Sequence, residues 1–323
     1  MLIIIIVLLI IILAFIVLVN VENKFVVSLT RKFIFPIKKD SRTKKTIKKN
    51  IIVQVDEEYP SENKDNKYDL YLPKKPLKNK PTIIWVHGGG YVGGDKIDVE
   101  SFAMKLAQKG YTIIAMNYEL APNALYPTPV KQLGELLKHL EKSKLTNINL
   151  HNLFLAGDSV GAHIVMQFMI SQIDSKYRKK LKNKKVINYQ QVKGLLLYCG
   201  AYDIVSYQEK AKLKPTKLIF WQVGWSYFND KNWSKSELAR ETIIKNYVSN
   251  QLPPAYITDG NTLSFEDQAK ELIIALKQHN VYVKERFFNK DKVRHEYQFK
   301  TNKKESQYAF KDTIDFLTEF QDK

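Results

Sequence analysis

The sequence contains one cysteine, Cys199, which excludes an intrachain disulfide and a thiolate metal cluster. Acidic residues are few, since 33 Asp and Glu oppose 51 Lys and Arg, and the formal net charge is +18. Such an excess is found in proteins that bind nucleic acid or anionic membranes. No zinc-finger, helix-turn-helix or RNP motif accompanies it, and the lysines are spread along the whole chain. The sequence therefore predicts no nucleic-acid partner, and lysines that mainly solvate the surface.

Polar residues are absent from residues 2–19. A helix of that length rises about 27 Å, close to the hydrocarbon thickness of a bilayer. No basic residue precedes the run and no small-residue cleavage site follows it, so an uncleaved anchor is favoured over a signal peptide. We predict a single-pass transmembrane anchor over residues 1–22, in contact with membrane lipid, and a basic linker over 23–50. Because the basic residues all follow the anchor, the positive-inside rule predicts a cytoplasmic catalytic domain.

Residues 51–323 alternate between short apolar, β-rich runs and helical segments, which is typical of a mostly parallel sheet covered on both faces. The predicted strands are 51–55, 68–72, 81–86, 111–116, 152–156, 192–198, 255–258 and 281–288, and the predicted helices include 99–108, 130–140, 161–172 and 265–279. An aromatic-rich stretch at about 204–248 interrupts this alternation. The sequence thus predicts an α/β fold in three layers, with an insertion that either caps the active site or packs on the sheet.

Residues 157–161 read Gly-Asp-Ser-Val-Gly and lie between an apolar strand and a helix. This is the context of a nucleophile elbow, where small residues allow a turn tight enough to raise the serine above the sheet. The following helix directs its N-terminus toward the negative charge that develops during acyl transfer. Ser159 is therefore the predicted nucleophile.

A second glycine-rich motif, His87-Gly88-Gly89-Gly90, ends the predicted strand at 81–86. Glycines at this place let backbone N–H groups approach an oxyanion that side chains would obstruct. The two motifs in this order, each after an apolar strand, predict a hydrolase rather than a loop without chemistry.

From about Tyr68 to the C-terminus the chain resembles the hormone-sensitive-lipase-like esterases of the α/β-hydrolase fold. The resemblance rests on 87–90, 118–122 (Tyr-Glu-Leu-Ala-Pro), 126–127 (Tyr-Pro), 157–161, 200–203 (Gly-Ala-Tyr-Asp) and 253–254 (Pro-Pro). The chain departs from the family at Glu119, where arginine is usual, and at Val160, where alanine is usual. The resemblance implies a carboxylic-ester hydrolase with a cap, whose oxyanion hole consists of the N–H groups of Gly88, Gly89 and Val160.

The general base is predicted by elimination. The order of the fold, serine then acid then histidine, places the base after the nucleophile helix. It excludes four of the six histidines: His87, His139, His151 and His163. His279 precedes the strand at 281–288 and so falls at the amino edge of the sheet. His295 follows that strand, at the carboxyl edge where such active sites lie, and is the predicted base.

The triad acid does not fall where the family has it. Aligning Leu263-Ser264-Phe265 with the family's Asp-Pro-Leu-like turn puts Leu263 at the aspartate position. Glu266 is three residues further, on the same face of a helical turn, and is the predicted acid. The alternatives are Asp259, Asp267 and Asp203, or a dyad in which Asn261 or a hydroxyl orients the histidine.

These residues predict a serine hydrolase that cleaves small-molecule carboxylic esters of small or medium acyl chains through an acyl-enzyme, without metal or cofactor. The missing aspartate leaves one alternative open, an inactive hydrolase fold used for binding at a membrane. Hydrolysis of amide or lactone bonds is the other.

Overall fold

A computed structural model describes residues 23–36, 45–48, 50–79, 81–143, 145–210 and 214–323 of the chain. The predicted transmembrane anchor, residues 1–22, lies outside these residues. None of the helices in the described ranges combines the length and the apolar character that a bilayer crossing needs.

The described residues form a nine-stranded sheet in the order β1-β2-β3-β5-β4-β6-β7-β8-β9. The strands are β1 (Lys45–Lys48), β2 (Ile51–Glu58), β3 (Lys67–Pro73), β4 (Thr82–Val86), β5 (Thr112–Met116), β6 (Leu153–Asp158), β7 (Val192–Tyr198), β8 (Ala255–Thr258) and β9 (Val283–Arg286). The first three run antiparallel to their neighbours, and the rest of the sheet is parallel. The predicted α/β-hydrolase sheet is confirmed.

Helices cover both faces of this sheet. They are α1 (Asn23–Phe33), α2 (Glu100–Gln108), α3 (Thr128–Lys142), α4 (Val160–Ile173), α5 (Ser175–Lys180), α6 (Ile204–Lys210), α7 (Lys214–Phe228), α8 (Glu237–Arg240), α9 (Glu266–Gln278) and α10 (Lys304–Phe320). Short 3-10 turns occupy Lys96–Val99, Tyr189–Gln191, Trp233–Lys235, Ile244–Tyr247 and Tyr297–Phe299.

The central strands are buried on both faces because their side chains are apolar at successive positions. In β4, Ile84 and Val86 belong to an apolar cluster that includes residues of α3, α4 and α9, whereas Ile83 and Trp85 belong to a second cluster that includes residues of α2 and α10. This layering leaves the carboxyl ends of the parallel strands as the edge at which loops can assemble a site.

The predicted linker contributes two elements to the fold. Strand β1 pairs antiparallel with β2, and α1 packs against α7. Helix α1 is also tied to the loop after β4, because the guanidinium of Arg31 donates to the carbonyl oxygens of Val92 and Ala121. These contacts bring the start of the described chain to the active-site side of the domain.

The stretch predicted as a cap forms α6, α7 and α8 between β7 and β8. Its aromatic side chains lie in a continuous series of ring contacts. Tyr207 lies 4.4 Å from Phe220 and 4.8 Å from Phe265, measured between ring centroids, and Phe265 lies 5.2 Å from the His295 ring. The insertion therefore borders the catalytic edge of the sheet.

Candidate active site

Ser159 lies at a sharp turn between β6 and α4. Its backbone has φ 53° and ψ −123°, a region that residues with a side chain rarely occupy and that tight packing must enforce. A Cβ on Gly161 would lie 2.1 Å from the carbonyl oxygen of Val86, and one on Gly157 would lie 2.4 Å from the carbonyl carbon of Gly161. The two glycines are therefore required for the turn that presents the Ser159 hydroxyl.

His295 lies in the loop after β9 and reaches the nucleophile directly. Its Nε2 is 3.1 Å from Ser159 Oγ, within hydrogen-bond reach of the proton that a general base removes. Burial lowers the pKa of His295, and the nearby charge of Glu296 raises it in part. The two residues predicted as nucleophile and base thus lie together at the carboxyl edge of the sheet.

The other ring nitrogen of His295 meets a hydroxyl. Ser264 Oγ lies 2.8 Å from His295 Nδ1 and donates its proton to the carboxylate of Asp259. This arrangement is complete when Nδ1 carries the imidazole proton and Nε2 accepts from Ser159, the tautomer that a general base needs. Ser264 thereby connects the histidine to a buried acid.

Asp259 follows β8 and is fully buried. Burial raises its pKa to about 7, although hydrogen bonds, foremost that of Ser264, oppose the shift. The carboxyl is therefore close to half ionised near neutral pH, which makes it a weaker source of negative charge than an exposed aspartate.

Glu266, the predicted acid, does not reach His295. It is the first residue of α9, and its Oε1 pairs with Lys270 Nζ at 2.8 Å, one helical turn away. The position of Glu266 away from His295 has a local cause. Leu263 has a left-handed φ of 52°, so the turn before α9 presents Ser264 to His295 and leaves Glu266 on the helix.

Most of the alternative candidates for the acid also have other roles in the structure. Asp203 accepts from the backbone N–H of Ser206 at the start of α6, and Asp267 is exposed in the first turn of α9. Asn261 donates to the carbonyl oxygens of Phe288 and Asp291 and so holds the loop that carries the histidine. Only Asp259 among these candidates is connected to His295 by hydrogen bonds in the described structure.

The predicted oxyanion hole needs one change. The backbone N–H of Gly88 donates to Asp158 Oδ2 at 2.8 Å, so this amide is not available to an oxyanion. Val160 is the first residue of α4, where the amide has no acceptor within the helix. Gly89 has φ 104°, and its carbonyl oxygen accepts from the N–H groups of Val92 and Gly93. Gly89 and Val160 remain the candidate donors.

Asp158, the residue before the nucleophile, lies inside the protein. Its Oδ1 accepts from Trp85 Nε1 at 2.7 Å, and its Oδ2 accepts from the Gly88 amide at 2.8 Å. Burial and the Glu296 charge together hold the pKa of Asp158 well above its usual range. A Cβ on Gly88 would lie 2.6 Å from Asp158 Oδ2, 2.8 Å from Glu296 Oε1 and 2.9 Å from Ser159 Cβ. The absence of a side chain at position 88 therefore makes room for these groups.

One cluster has ligand types that a metal ion can bind. Atoms of Cys199, Asp259 and His295 lie within 4.8 Å of one another. Ser264 already bridges the last two by hydrogen bonds, and burial raises the pKa of the Cys199 thiol well above its usual range. Hydrogen bonds through Ser264 therefore connect two members of this cluster, Asp259 and His295.

Three of the other histidines have surroundings of their own. His163 is buried between the Tyr91 hydroxyl and the Thr242 carbonyl oxygen, and burial lowers its pKa to about 4. His87 stacks on Tyr118, with ring centroids 4.5 Å apart. His279 is exposed at the end of α9.

Two residues of the site were missing from the sequence predictions. Ser264 was not named as a site residue, although a hydroxyl that orients the histidine was among the alternatives, and its Oγ lies 2.8 Å from His295 Nδ1. The signal for it was the alignment of residues 263–265 with the family's acidic turn. Glu296 left no such signal, because its approach to the site depends on a left-handed backbone with φ 54°.

The strand–serine–helix turn, the serine–histidine pair and the sheet order define an α/β hydrolase. Residues 68–271 match the BD-FAE family, so the chain belongs to that family. Its fold is that of the hormone-sensitive-lipase-like esterases.

Among curated proteins, an esterase of Gibberella moniliformis is 36% identical over 100 residues, 30% of each chain. A kynurenine formamidase of Salmo salar is 27% identical over 158 residues, 49% of each chain. The matched part of the chain therefore spans 30% of the length of the first relative and 49% of the length of the second. In structure, the chain is similar to esterase B of Lactobacillus rhamnosis, with a TM-score of 0.73 and 19% identity, over 86% of this chain and 89% of that one.

Proposed function

We propose that this protein is a serine hydrolase that cleaves carboxylic esters of small or medium acyl chains. The observation that carries the proposal is the 3.1 Å contact between His295 Nε2 and Ser159 Oγ at a nucleophile elbow. Membership of an esterase family and the fold shared with solved esterases support it.

In the first half of the reaction, Ser159 Oγ attacks the ester carbonyl carbon while His295 Nε2 takes the hydroxyl proton. The carbonyl oxygen becomes an oxyanion, which accepts hydrogen bonds from the amides of Gly89 and Val160. The C–O bond then breaks, and the alcohol leaves with the proton that His295 returns to it. An acyl group remains on Ser159.

In the second half, water attacks the acyl carbonyl and His295 takes one of its protons. The acid is released, and the proton passes from His295 to Ser159 Oγ. Throughout, Ser264 fixes the orientation of the imidazole at Nδ1, and Asp259 fixes the orientation of Ser264. We therefore propose Asp259, acting through Ser264, as the acid in place of Glu266.

The aromatic side chains beside the histidine support an apolar acyl group. Phe265 stands edge-on to the His295 ring, with Tyr207 and Phe220 behind it. Such rings suit an apolar group of limited length.

The test is covalent labelling of the intact protein with a fluorophosphonate probe, which reacts with an activated serine. We expect labelling of the wild type and none of Ser159→Ala. Equal labelling of both proteins, or none of either, would contradict the proposal and favour an inactive fold used for binding.

A second candidate is hydrolysis of a formamide, an amide bond, because one relative is a kynurenine formamidase. A panel of p-nitrophenyl esters of increasing chain length, compared with N-formyl arylamines, separates the two activities. We expect a higher kcat/KM for the short esters. Faster turnover of the formamides would assign the chain to the amide class.

We also propose that residues 1–22 anchor the protein in a membrane with the catalytic domain on the cytoplasmic side. The support is the apolar run and the basic residues that follow it. Protease added to intact cells should leave the catalytic domain uncut, and its digestion from outside would reverse the orientation.

A further inference from the structure

Glu296 follows the proposed catalytic base in the chain and turns back toward it. Its backbone is left-handed, with φ 54°, an arrangement that costs free energy in a residue with a side chain and that marks functional sites when it persists. Its Oε1 lies 3.8 Å from His295 Nε2, the same nitrogen that contacts Ser159.

The Glu296 carboxylate shares its surroundings with a second carboxyl group. Asp158 is buried, 2% exposed, whereas the Glu296 side chain is 36% exposed. A Cβ on Gly88 would lie 2.6 Å from Asp158 Oδ2 and 2.8 Å from Glu296 Oε1, so the two carboxyl oxygens border the same small space. Burial, and after it the charge of Glu296, holds the pKa of Asp158 well above its usual range, so Asp158 is the group of the two that keeps a proton.

The acid of a serine hydrolase performs two tasks, since it orients the imidazole and stabilises the imidazolium that forms in each transition state. Here the group that orients His295 is the hydroxyl of Ser264, which carries no charge. Asp259 reaches the ring only through that hydroxyl, and its pKa of about 7 leaves it partly neutral. The second task therefore needs another carboxylate.

We propose that the two tasks are divided, with Ser264 and Asp259 orienting His295 and Glu296 supplying the negative charge that stabilises its imidazolium. The inference rests on the proposed function. Glu296 acts through His295, so it is a positioning residue. Asp158 holds the Glu296 carboxylate in place. Asp158 is itself fixed by the hydrogen bonds that it accepts from Trp85 Nε1 and the Gly88 amide.

A pH profile can test the role of Glu296, because few titratable groups in the described part of the chain surround His295 and Glu296. Asp259, Cys199 and Glu296 surround His295, and Asp158 and the Tyr118 hydroxyl lie near Glu296. A negative charge beside an imidazole raises its pKa. Removing the Glu296 charge should therefore lower the pKa of His295 and move the acid limb of kcat/KM to lower pH.

The experiment measures kcat/KM of the full chain for p-nitrophenyl acetate from about pH 5 to about pH 9. Glu296→Gln should shift the acid limb to lower pH and reduce the plateau by about tenfold or more. Glu296→Asp should restore the position of the limb. The matched control is Glu237→Gln, an exposed glutamate on α8, which should change neither.

A plateau that falls with the acid limb unmoved would overturn the inference, since a purely structural role gives that result. An unchanged plateau and limb would overturn it as well. Fluorophosphonate labelling distinguishes this failure from that of the proposed function. Normal labelling of the wild type with an unmoved limb in Glu296→Gln refutes only the role of Glu296, whereas absent labelling of the wild type refutes the hydrolase itself. Thermal unfolding of Glu296→Gln should match the wild type, which shows that the variant is folded.

Discussion

The hydroxyl of Ser264 lies 2.8 Å from Nδ1 of His295, in the place where serine hydrolases of this fold present a carboxylate. A neutral donor–acceptor at this position can fix the direction of the ring and its tautomer, but it adds no charge to the imidazolium. The proposed catalytic group is thus a chain of four hydrogen-bonded side chains, in which the buried acid lies one hydrogen bond further from the proposed base.

Replacing Ser264 tests this chain of hydrogen bonds. Ser264→Ala removes the hydrogen bond at Nδ1 and should lower kcat by about 10- to 1,000-fold, because the ring loses its preferred tautomer. Ser264→Asp puts a carboxylate directly on the ring and should retain more activity than Ser264→Ala. Ser175→Ala, at an exposed serine on α5, is the control. If Ser264→Ala turned over esters at the wild-type rate, this chain of hydrogen bonds would have no role in catalysis.

The buried carboxyl of Asp259 should make stability depend on pH. Its pKa rises from 3.8 to about 7 on folding, so the folded state binds the proton more tightly. The resulting stabilisation is complete below about pH 4 and is lost as pH rises through about 7. In Asp259→Asn, the free energy of unfolding relative to the wild type should increase by roughly 2–3 kcal/mol between about pH 5 and about pH 8.

Urea unfolding at the two pH values measures this difference. Asp267→Asn, at an exposed position in the first turn of α9, should show no such change. A stability difference between Asp259→Asn and the wild type that is the same at both pH values would mean that Asp259 is ionised throughout.

Gly88 and Gly134 offer a matched pair of glycine substitutions. A Cβ on Gly88 would lie 2.6 Å from Asp158 Oδ2 and 2.9 Å from Ser159 Cβ, whereas one on Gly134 in α3 would meet nothing closer than 3.5 Å. Gly88→Ala should therefore reduce kcat/KM by about 100-fold or more. Gly134→Ala should keep full activity and gain about 0.5–1 kcal/mol of stability, since alanine favours the helix. Comparable ester turnover by the two variants would contradict the tight packing around Gly88.

Phe33 and Phe35 form a second pair, at the end of α1. A Cβ on Gly90 would lie 2.8 Å from the Phe35 ring, whereas Phe33 is 72% exposed. Phe35→Ala loosens the glycine loop beside the oxyanion site and should lower kcat about 3- to 30-fold. Phe33→Ala should leave kcat unchanged. Equal effects of the two substitutions would show that the loop holds its shape without α1.

The sequence predicted the strands of the parallel sheet because their side chains are apolar at successive positions, and this pattern requires no tertiary information. Ser159 and His295 could be predicted without tertiary information as well, since a local motif marks the first and the chain order of the fold leaves few choices for the second. In the structure their reactive atoms lie 3.1 Å apart.

The acid could not be assigned, because its position depends on the backbone of a single residue. Counting along a regular helical turn points to Glu266, but Leu263 adopts a left-handed conformation that a leucine side chain does not signal. The hydrogen-bond partner of the Gly88 amide could not be predicted either, so the sequence analysis placed this amide in the oxyanion hole. Nothing in the order of residues 87–90 shows that the Asp158 carboxylate, 70 positions later, accepts that N–H group.

Helix α1 gives the start of the described chain a mechanical connection to catalysis. It contacts α7 of the cap, and Phe35 beyond its end packs on Gly90 and Gly93. A recombinant fragment cut at residue 51 would keep every strand of the parallel sheet and still leave the glycine loop unsupported on one side. Fragments meant for crystallisation or assay should therefore begin no later than Asn23, so that α1 and Phe35 remain in contact with the glycine loop.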